Sequence, residues 1–456
     1  MTSDQRSQHD GHRLAESDAP PTLGKVISAA AIGNFVEWFD FAVYGFLATV
    51  IANQFFPSES VSLGLLKTFG VFAVAFAMRP LGGIFFGILG DRIGRKSILS
   101  LTILLMAGAT TLIGLLPTHE SLGIAAPILL TVLRCLQGFS AGGEYAGSIA
   151  YVMEHSPRHK RGWYGSFIPV STFTAFASAA LLVFALENSL TPEAMAGWGW
   201  RVPFLIAAPL GLIGLYLRWR MEETPAFKAL AAEDSTHAHS PLRETLKSQI
   251  HSILRLGAFI SLTALSFYTF TTYFATYLQV VGGLTRPGAL LVSLIALVFA
   301  ALFCPVAGAL SDRFGRRRTI GFVCAWFLLM TIPAFLLASS GELLKAVPGV
   351  LLLAVGALTS NVVTATLMSE TFPTRTRYTA SAFTYNISYT LFGGTAPLMA
   401  TWLIDVTDNN LSPAIYLMLI TVLAAAGGLA LRETHRISLV DGFTEEAEAD
   451  ALPNSA

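Results

Sequence analysis

Five ionisable side chains interrupt long apolar stretches of this chain: Glu37, Asp40, Arg79, Arg134 and Glu144. Placing such a group near the centre of a bilayer costs roughly 2.5–3.5 kcal/mol, so each is expected to be paired or functional. A carboxyl group in apolar surroundings keeps its proton and releases it when an arginine or water approaches. Three carboxylates and two arginines leave one carboxylate protonated or open to a cation. This predicts proton coupling, with Glu37, Asp40 and Glu144 as the proton-carrying groups.

Depth along the helices predicts how these groups pair. With a rise of 1.5 Å per residue, Asp40 lies about 21 Å from the start of its span, and Arg134 about 14–16 Å from the opposite end of its own. We therefore expect Asp40 to pair with Arg134, and Arg79 with Glu144. This leaves Glu37 without an arginine partner. All nine histidines lie in tails or loops, so the proton must be carried by a carboxylate. The alternative is a static network of internal salt bridges.

The composition is that of a membrane protein. Charged residues make up 13% and hydrophobic residues 53%, with a mean hydropathy of +0.60, whereas soluble domains carry about 25% charged residues. The balance of 29 basic and 29 acidic residues gives no indication of a nucleic-acid partner. The first apolar stretch is too long for a signal peptide, so no cleaved leader is expected. The three cysteines lack metal-ligand spacing, and no nucleophile, metal cluster or cofactor site indicates an enzyme.

Apolar segments near the ~20 residues that cross a bilayer recur along the chain and predict an all-α membrane protein with twelve transmembrane helices. They cover 26–52, 65–89, 97–116, 123–152, 163–186, 198–217, 255–280, 288–310, 319–339, 347–369, 378–404 and 414–431. The predicted organisation is an N-terminal tail (1–25), a six-helix bundle (26–217), a linker (218–254), a second six-helix bundle (255–431) and a C-terminal tail (432–456).

Two charged motifs occur once in each half and in the same order. The stretch GDRIGRK (90–96) returns as SDRFGRR (311–317), and the pattern Glu-x-x-Pro-x-x-x-Arg occurs at 154–161 and again at 370–377. Such repetition predicts two homologous bundles related by pseudo-symmetry. Glycines such as Gly83, Gly138 and Gly142 are expected to be close-packing positions between helices.

Basic residues set the orientation. They concentrate in the tails, the linker and the loops with the repeated motifs, whereas the loops on the other side contain only Arg286 and Lys345. By the positive-inside rule, both termini and both motifs are predicted to be cytoplasmic.

The C-terminal half has polar but uncharged groups at membrane depth, which could orient a small polar ligand by hydrogen bonds or aromatic faces. Interhelical hydrogen bonding is the alternative for each of them. The complete set of predicted substrate contacts is Arg79, Arg134, Gln137, Tyr44, Tyr268, Thr272, Asn361, Asn386 and Tyr389.

The doubled Asp-Arg-x-Gly-Arg motif on twelve predicted helices resembles the major facilitator superfamily over about residues 25–435. Five further stretches resemble its metabolite:proton symporter family: GNFVEWFDF (33–41), RPLGG (79–83), QGFSAGGEY (137–145), GWGWRVPF (197–204) and EETP (222–225). The resemblance implies import of an osmolyte such as proline or glycine betaine, or of an organic acid such as α-ketoglutarate, citrate or shikimate, together with protons.

The resemblance also implies site residues. Asp40 and Arg134 match the proton-coupling pair of the superfamily's sugar porters. Asp91 would lie at the N-terminal end of helix 11 and Asp312 at that of helix 5, while Glu154 and Glu370 would receive loop arginines. The implied cytoplasmic gate comprises Asp91, Arg92, Arg95, Glu154, Arg161, Asp312, Arg313, Arg316, Glu370 and Arg377.

Two branches of the family remain open on the sequence. Residues 372–373, 377–378 and 385–388 resemble the proline/betaine branch, whereas residues 267–273 and Arg134 resemble the organic-acid branch. The buried charges sum to −1, which favours a zwitterion or a monoanion over a trianion. A uniporter or an antiporter of the same fold is a further alternative. The expected partners are the substrate, protons and the lipid bilayer of the inner membrane, with the monomer as the working unit. The short acidic tail lacks heptads, so gating through a coiled coil is not expected.

Overall fold

The computed structural model describes residues 23–93, 95–142, 144–220, 249–373, 377–435 and 437. These residues form twelve helical spans, which confirms the predicted all-α membrane fold. The spans are α1 (Leu23–Phe46 and Ala48–Phe55), α2 (Val61–Ile93), α3 (Arg95–Leu115), α4 (Ala125–Ser140 and Glu144–His155), α5 (Arg161–Gly165 and Phe167–Ser189), α6 (Arg201–Arg220), α7 (Ile250–Tyr268, Thr269–Tyr273 and Phe274–Val280), α8 (Arg286–Phe314), α9 (Arg316–Ala338), α10 (Leu343–Glu370), α11 (Arg377–Ser388, Tyr389–Gly393 and Ala396–Thr407) and α12 (Ser412–Gly428).

The helix bounds differ from the predicted ones by a few residues. The first helix begins at Leu23 and the seventh at Ile250, a few residues before the predicted starts at 26 and 255. Most of the predicted tails and linker lies outside the described residues.

Length and hydropathy qualify these helices for a bilayer. Eight helices within the described residues can each cross a membrane, and the bent pair Pro192–Gly199 with Arg201–Tyr216 would make a ninth. Large apolar side chains face outward, among them Leu302, Leu329 and Leu419, which are 68%, 67% and 64% exposed. In water such exposure would be unfavourable, whereas hydrocarbon is a suitable solvent for it.

The two halves repeat the same packing. In the first half α1 packs on α5, α2 on α4 and α3 on α6, and in the second half α7 packs on α11, α8 on α10 and α9 on α12. The halves meet along two seams, α5 with α8 and α2 with α11. This arrangement confirms the two pseudo-symmetric six-helix bundles.

Glycines allow the closest approaches between helices, as the sequence predicts. A Cβ atom at Gly138 of α4 would overlap the carbonyl oxygen of Ala75 in α2, and one at Gly142 would overlap that of Arg79. A Cβ atom at Gly308 of α8 would likewise overlap the carbonyl oxygen of Gly162 in α5. These contacts bring the backbone of α4 against α2 and close one end of the α5–α8 seam.

Both α7 and α11 contain a π-helical turn within the second half, at Thr269–Tyr273 and Tyr389–Gly393. Such turns change the direction in which the neighbouring side chains point and are frequent at functional sites. Here they adjoin Tyr268 and Tyr389, whose ring centroids are 6.1 Å apart in the centre of the molecule. Periodicity in the sequence did not predict these turns.

Candidate functional site

The two carboxylates of α1 lie in the protein interior. Glu37 and Asp40 are each 1% exposed, so neither faces lipid. Their spacing of three residues places them on the same side of the helix. The charged centre predicted from the sequence is therefore enclosed by the helices of the first half and by the face of the second.

Glu37 forms an ion pair with Arg79 of α2. Its Oε1 lies 2.9 Å from Nη2 of Arg79, and the same nitrogen donates to the carbonyl oxygen of Ala141 at 3.3 Å. The prediction that Glu37 would be left over is therefore wrong. Depth along a helix gives the height of a side chain but not the direction in which it points. The side chain of Glu144, the predicted partner of Arg79, lies outside the described residues.

Asp40 and Arg134 do not form the predicted direct ion pair; within the described residues they are joined through two neutral side chains. Arg134 Nη1 donates to Gln137 Oε1 at 2.6 Å, Gln137 Nε2 donates to Thr110 Oγ1 at 2.5 Å, and Thr110 Oγ1 donates to Asp40 Oδ2 at 2.9 Å. We call these four residues the Asp40–Arg134 chain. All four are buried.

Several charged atoms at this centre have no hydrogen-bond partner among the described residues: Oδ1 of Asp40, Nε and Nη2 of Arg134, and Nε and Nη1 of Arg79. Aromatic faces surround both guanidinium groups instead. Arg79 Cζ lies 5.1 Å from the ring centroid of Phe76, and Arg134 Cζ lies 4.0 Å from that of Tyr44. Both arginines therefore retain donors that are unused within the described part of the chain.

Tyrosines of the second half face this centre. The ring of Tyr268 lies 5.0 Å from Phe76. Tyr389 stacks on Tyr385 at 4.0 Å, and its hydroxyl donates to Asn361 Oδ1 at 3.3 Å. Tyr385 also stacks on Tyr145 of α4 at 4.7 Å. We define the aromatic lining as Trp38, Phe41, Phe76, Tyr268, Tyr385 and Tyr389. Since both halves contribute to it, relative movement of the halves changes its shape.

The remaining predicted substrate contacts have structural partners. Asn386 Nδ2 donates to the carbonyl oxygen of Gly142 at 2.7 Å, which holds α11 against α4. Thr272 packs against Gly45 where α7 meets α1, and the Tyr44 hydroxyl donates to the carbonyl oxygen of Thr68 at 2.9 Å. Their roles in substrate binding stay predictions.

Three residues at this centre were missed by the sequence reasoning. The ring centroid of Trp38 lies 5.7 Å from Cζ of Arg79, and its indole Nε1 donates to Asn34 Oδ1 at 2.9 Å. Asn34 in turn donates to the hydroxyls of Ser171 and Thr172 on α5. The spacing of four residues between Asn34 and Trp38 could have suggested this contact. Thr110, the third, is one of many threonines in apolar helices, and nothing in the sequence distinguishes it.

The end of the molecule that carries Arg161, Asp312, Arg316, Glu370 and Arg377 is called the basic end. Asp312 accepts hydrogen bonds from the backbone N–H groups of Gly162 and Trp163 at 2.8 and 2.9 Å, at the start of α5, as the resemblance implied. Arg316 holds both oxygens of Glu370 at 3.0 Å and one of Asp312 at 2.9 Å. The bonds between Asp312 and the start of α5 connect the two halves, whereas those of Arg316 lie within the second half.

The tight turn between α8 and α9 explains the glycine of this motif. Gly315 has a φ of 94°, which L-residues other than glycine rarely adopt. The turn brings Arg316 back over Asp312 of the preceding helix.

The other predicted gate residues differ in whether they form ion pairs. Arg161 lies 4.0 Å from Glu370, and Arg377 lies 3.7 Å from Glu154. Arg313 is exposed beside Phe314 and takes part in no ion pair within the part of the chain that the structure describes, so its predicted gate role has no support in the geometry. The side chains of Asp91, Arg92 and Arg95 lie outside the described residues.

The segment after α12 joins the network at the basic end. Glu433 accepts hydrogen bonds from the backbone N–H groups of Arg316 at 2.7 Å and Arg317 at 3.0 Å, and Thr434 donates to Glu370 at 2.8 Å. Arg161 donates to the carbonyl oxygen of Ile437 at 2.7 Å. Burial opposes ionisation of Glu433, but the backbone hydrogen bonds outweigh it and hold the pKa of this carboxyl group below its ordinary value. We call residues 431–437 the strap.

At the end of the molecule opposite the basic end, an ion pair joins α5 and α8. Glu187 near the end of α5 lies 3.6 Å from Arg286 at the start of α8. Both ends of the α5–α8 seam are therefore closed, and the charged centre between them is buried.

A duplicated twelve-helix bundle with a buried charged centre, closed by polar contacts at both ends, defines the class of secondary transporters that work by alternating access. The family model described as "Major Facilitator Superfamily" matches residues 30–397 of this chain. This chain belongs to the major facilitator superfamily and, as the sequence motifs indicated, to its metabolite:proton symporter family. It is a multi-pass membrane protein.

Relatives of known name support this assignment. The chain is 40% identical to the "Glycine betaine/proline/ectoine/pipecolic acid transporter OusA" of Dickeya dadantii, over 90% of this chain and 84% of that protein. It is 39% identical to the "Proline/betaine transporter" of Escherichia coli K12, with the same coverage, and 36% identical to the "Ectoine/proline transporter ProP" of Corynebacterium glutamicum, over 95% and 89%.

Among solved structures, the proton:xylose symporter XylE bound to 6-bromo-6-deoxy-D-glucose has a similar fold. The TM-score is 0.71 at 18% identity, over 94% of this chain and 98% of that one. This likeness concerns the fold alone.

Proposed function

We propose that this protein imports a small zwitterionic carboxylate of the proline, betaine or ectoine type together with a proton. The observation that carries the proposal is the Glu37–Arg79 ion pair, which is buried against aromatic rings from both halves. The names of the relatives support the substrate class.

The chemistry of the site fits both ends of such a substrate. A substrate carboxylate matches a guanidinium group that has free donors, as Arg79 has. A quaternary or secondary ammonium group binds favourably over aromatic faces, which the aromatic lining supplies. A zwitterion adds no net charge to the buried centre, whereas a dianion or trianion would add several unpaired negative charges.

Protonation of Glu37 couples the two events. While Glu37 is ionised it competes with the substrate for Arg79; once protonated, it releases Arg79 to the substrate carboxylate. The Asp40–Arg134 chain forms a second proton-sensitive element at the same depth. Substrate and proton together then favour closure of one end and opening of the other by rocking of the two halves.

The orientation and the working unit are part of the proposal. The basic end faces the cytoplasm, with both termini on that side of the inner membrane, because the loops there hold most of the basic residues. One chain contains both halves of the site, so the monomer is the transporting unit.

Uptake into proteoliposomes tests the proposal. With an acidic exterior, we expect wild-type protein to accumulate labelled proline, glycine betaine or ectoine and to make the exterior more alkaline. Glu37→Gln and Asp40→Asn should each abolish accumulation driven by the pH gradient. Glu342→Gln is the matched control, because Glu342 is exposed and pairs only locally with Lys345. Wild-type accumulation by both carboxylate variants contradicts the proton site.

Binding experiments test the substrate class separately. A thermal-shift screen should show stabilisation by the zwitterions and none by citrate, α-ketoglutarate or shikimate. In Arg79→Lys the affinity should fall about ten- to a hundredfold, since a hydrogen bond to a charged group contributes about 1.5–3 kcal/mol. Stabilisation by the organic acids alone would assign the protein to that branch of the family instead.

A further inference from the structure

The Asp40–Arg134 chain has a direction. A guanidinium group can only donate hydrogen bonds, an ionised carboxylate can only accept them, and an amide or a hydroxyl can do both. Gln137 must therefore turn its oxygen to Arg134 and its nitrogen to Thr110. Thr110 is left to accept from Gln137 and to donate to Asp40. The whole chain points from Arg134 to Asp40, and every donor in it meets an acceptor while Asp40 is ionised.

Protonation of Asp40 creates a conflict at one atom. A proton on Oδ1 would find no acceptor among the described residues, whereas a proton on Oδ2 makes that atom a donor towards Thr110, so donors meet from both ends of the chain. The Thr110 oxygen can resolve this because it also lies 2.9 Å from the carbonyl oxygen of Met106, one helical turn earlier. If the hydroxyl hydrogen turns to Met106, the two lone pairs of Thr110 can accept from Gln137 and from protonated Asp40. Only a hydrogen atom has to rotate.

We propose that Thr110 is a positioning residue for proton coupling, whose hydroxyl donates to Asp40 when that group is ionised and to the Met106 carbonyl when it is protonated. The inference rests on the proposed function, in which Asp40 takes part in proton transport. A proton that Asp40 takes up enters and leaves on its carboxyl group, and the hydrogen of Thr110 is not transferred. Because protonation removes the negative charge of Asp40, it is felt at Arg134, whose donors that are unused within the described residues can then bind an anion.

The charged groups around Asp40 are few among the described residues. Arg134 faces it from α4 and Glu37 from its own helix, with Arg79 of α2 bound to Glu37. The contact from α3 is the neutral Thr110. Because Glu37 and Asp40 interact, the pH dependence of transport belongs to the pair, and Thr110 acts on the Asp40 part of it.

The test compares Thr110→Val, which keeps the shape but lacks the hydroxyl, with Thr110→Ser, which keeps the hydroxyl. Initial uptake of labelled proline into proteoliposomes is measured over a range of external pH. Thr110→Val loses a hydrogen bond in both states, but the bond to ionised Asp40 is charge-assisted and the stronger of the two, so the midpoint should move to higher pH by about one unit. Thr110→Ser should retain the wild-type midpoint.

An unchanged pH profile and unchanged accumulation in Thr110→Val would overturn the proposal. Asp40→Asn in the same assay separates this outcome from failure of the proposed function. If Asp40→Asn retains pH-driven accumulation, the proton site itself is wrong; if it is inactive while Thr110→Val is normal, only the role of Thr110 is wrong. Should Thr110→Val not yield monodisperse protein, Thr110→Ala and Gln137→Leu interrupt the same chain. A wild-type pH profile in either of them overturns the proposal equally.

Discussion

At the scale of single residues, the centre of this transporter replaces water around its charges by aromatic rings and by a few polar side chains. Among the described residues, Arg79 has one carboxylate partner, and three ring centroids lie within 6 Å of its guanidinium carbon. Removing two charges from water is costly, and only good geometry offsets that cost. The arrangement therefore suits a site where one partner is exchanged, here Glu37 for a substrate carboxylate, better than a site built for stability.

Trp38 is the residue whose replacement should discriminate between substrates. Trp38→Phe keeps a ring but loses the stronger cation–π partner and the hydrogen bond to Asn34. We expect the affinity for glycine betaine to fall about three- to thirtyfold and that for proline to fall less, because the quaternary ammonium group depends most on the ring. Isothermal titration of both substrates provides the measurement.

Trp326→Phe is the matched control for this replacement. Its indole also donates a hydrogen bond, to the carbonyl oxygen of Leu352 on α10, but it lies outside the charged centre. An equal loss of affinity for both substrates in Trp38→Phe would reduce its role to packing.

At the scale of helices, most spans could be predicted from apolar length, since each must cover the bilayer. The breaks inside them could not. The turn within α4 after Ser140 and the π-helical turns of α7 and α11 depend on contacts with other helices. For the same reason depth alone did not predict the ion pair between Glu37 and Arg79, because the direction of a side chain around the helix axis is set by packing. Thr110 was missed because nothing in the sequence sets it apart from the other threonines of the apolar helices.

The glycines of α4 determine how closely it approaches α2. Gly138→Ala places a methyl group on the carbonyl oxygen of Ala75, so we expect destabilisation by about 1–3 kcal/mol or more. Gly70→Ala on α2 is the control, because a Cβ atom there meets no other atom within 4 Å. Thermal unfolding in detergent should show a lower midpoint for the first variant and an equal or higher one for the second. Equal midpoints would contradict close packing as the role of Gly138.

At the scale of the whole molecule, the α5–α8 seam carries a contact between the halves at each end. At the basic end, Asp312 of α8 accepts a hydrogen bond from the start of α5. At the other end, Glu187 of α5 pairs with Arg286 of α8. Since alternating access requires one end to open while the other stays closed, removing one contact should favour opening at that end.

Arg286→Gln should therefore increase access from the outside. In a variant whose three native cysteines are replaced, a cysteine at Thr272 should react about 1.5- to fivefold faster with an impermeant maleimide, which corresponds to a surface ion pair of about 0.2–1 kcal/mol. Lys345→Gln is the matched control, because the Lys345–Glu342 pair lies at the same end but does not join the halves. Unchanged reactivity in Arg286→Gln, or the same increase in Lys345→Gln, contradicts this role of the Glu187–Arg286 pair.

The strap has a consequence for a cell that accumulates solute through this protein. In the proposed orientation Glu433 faces the cytoplasm, and every transport cycle brings a proton into that compartment. A carboxyl group whose pKa is lowered in the folded protein contributes fully to stability at any pH above its ordinary pKa of 4.5. That contribution is lost only as the pH falls through the lowered pKa. The cytoplasm does not become that acidic. Glu433 therefore stays ionised as protons enter, and internal acidification leaves its hydrogen bonds from Arg316 and Arg317 intact.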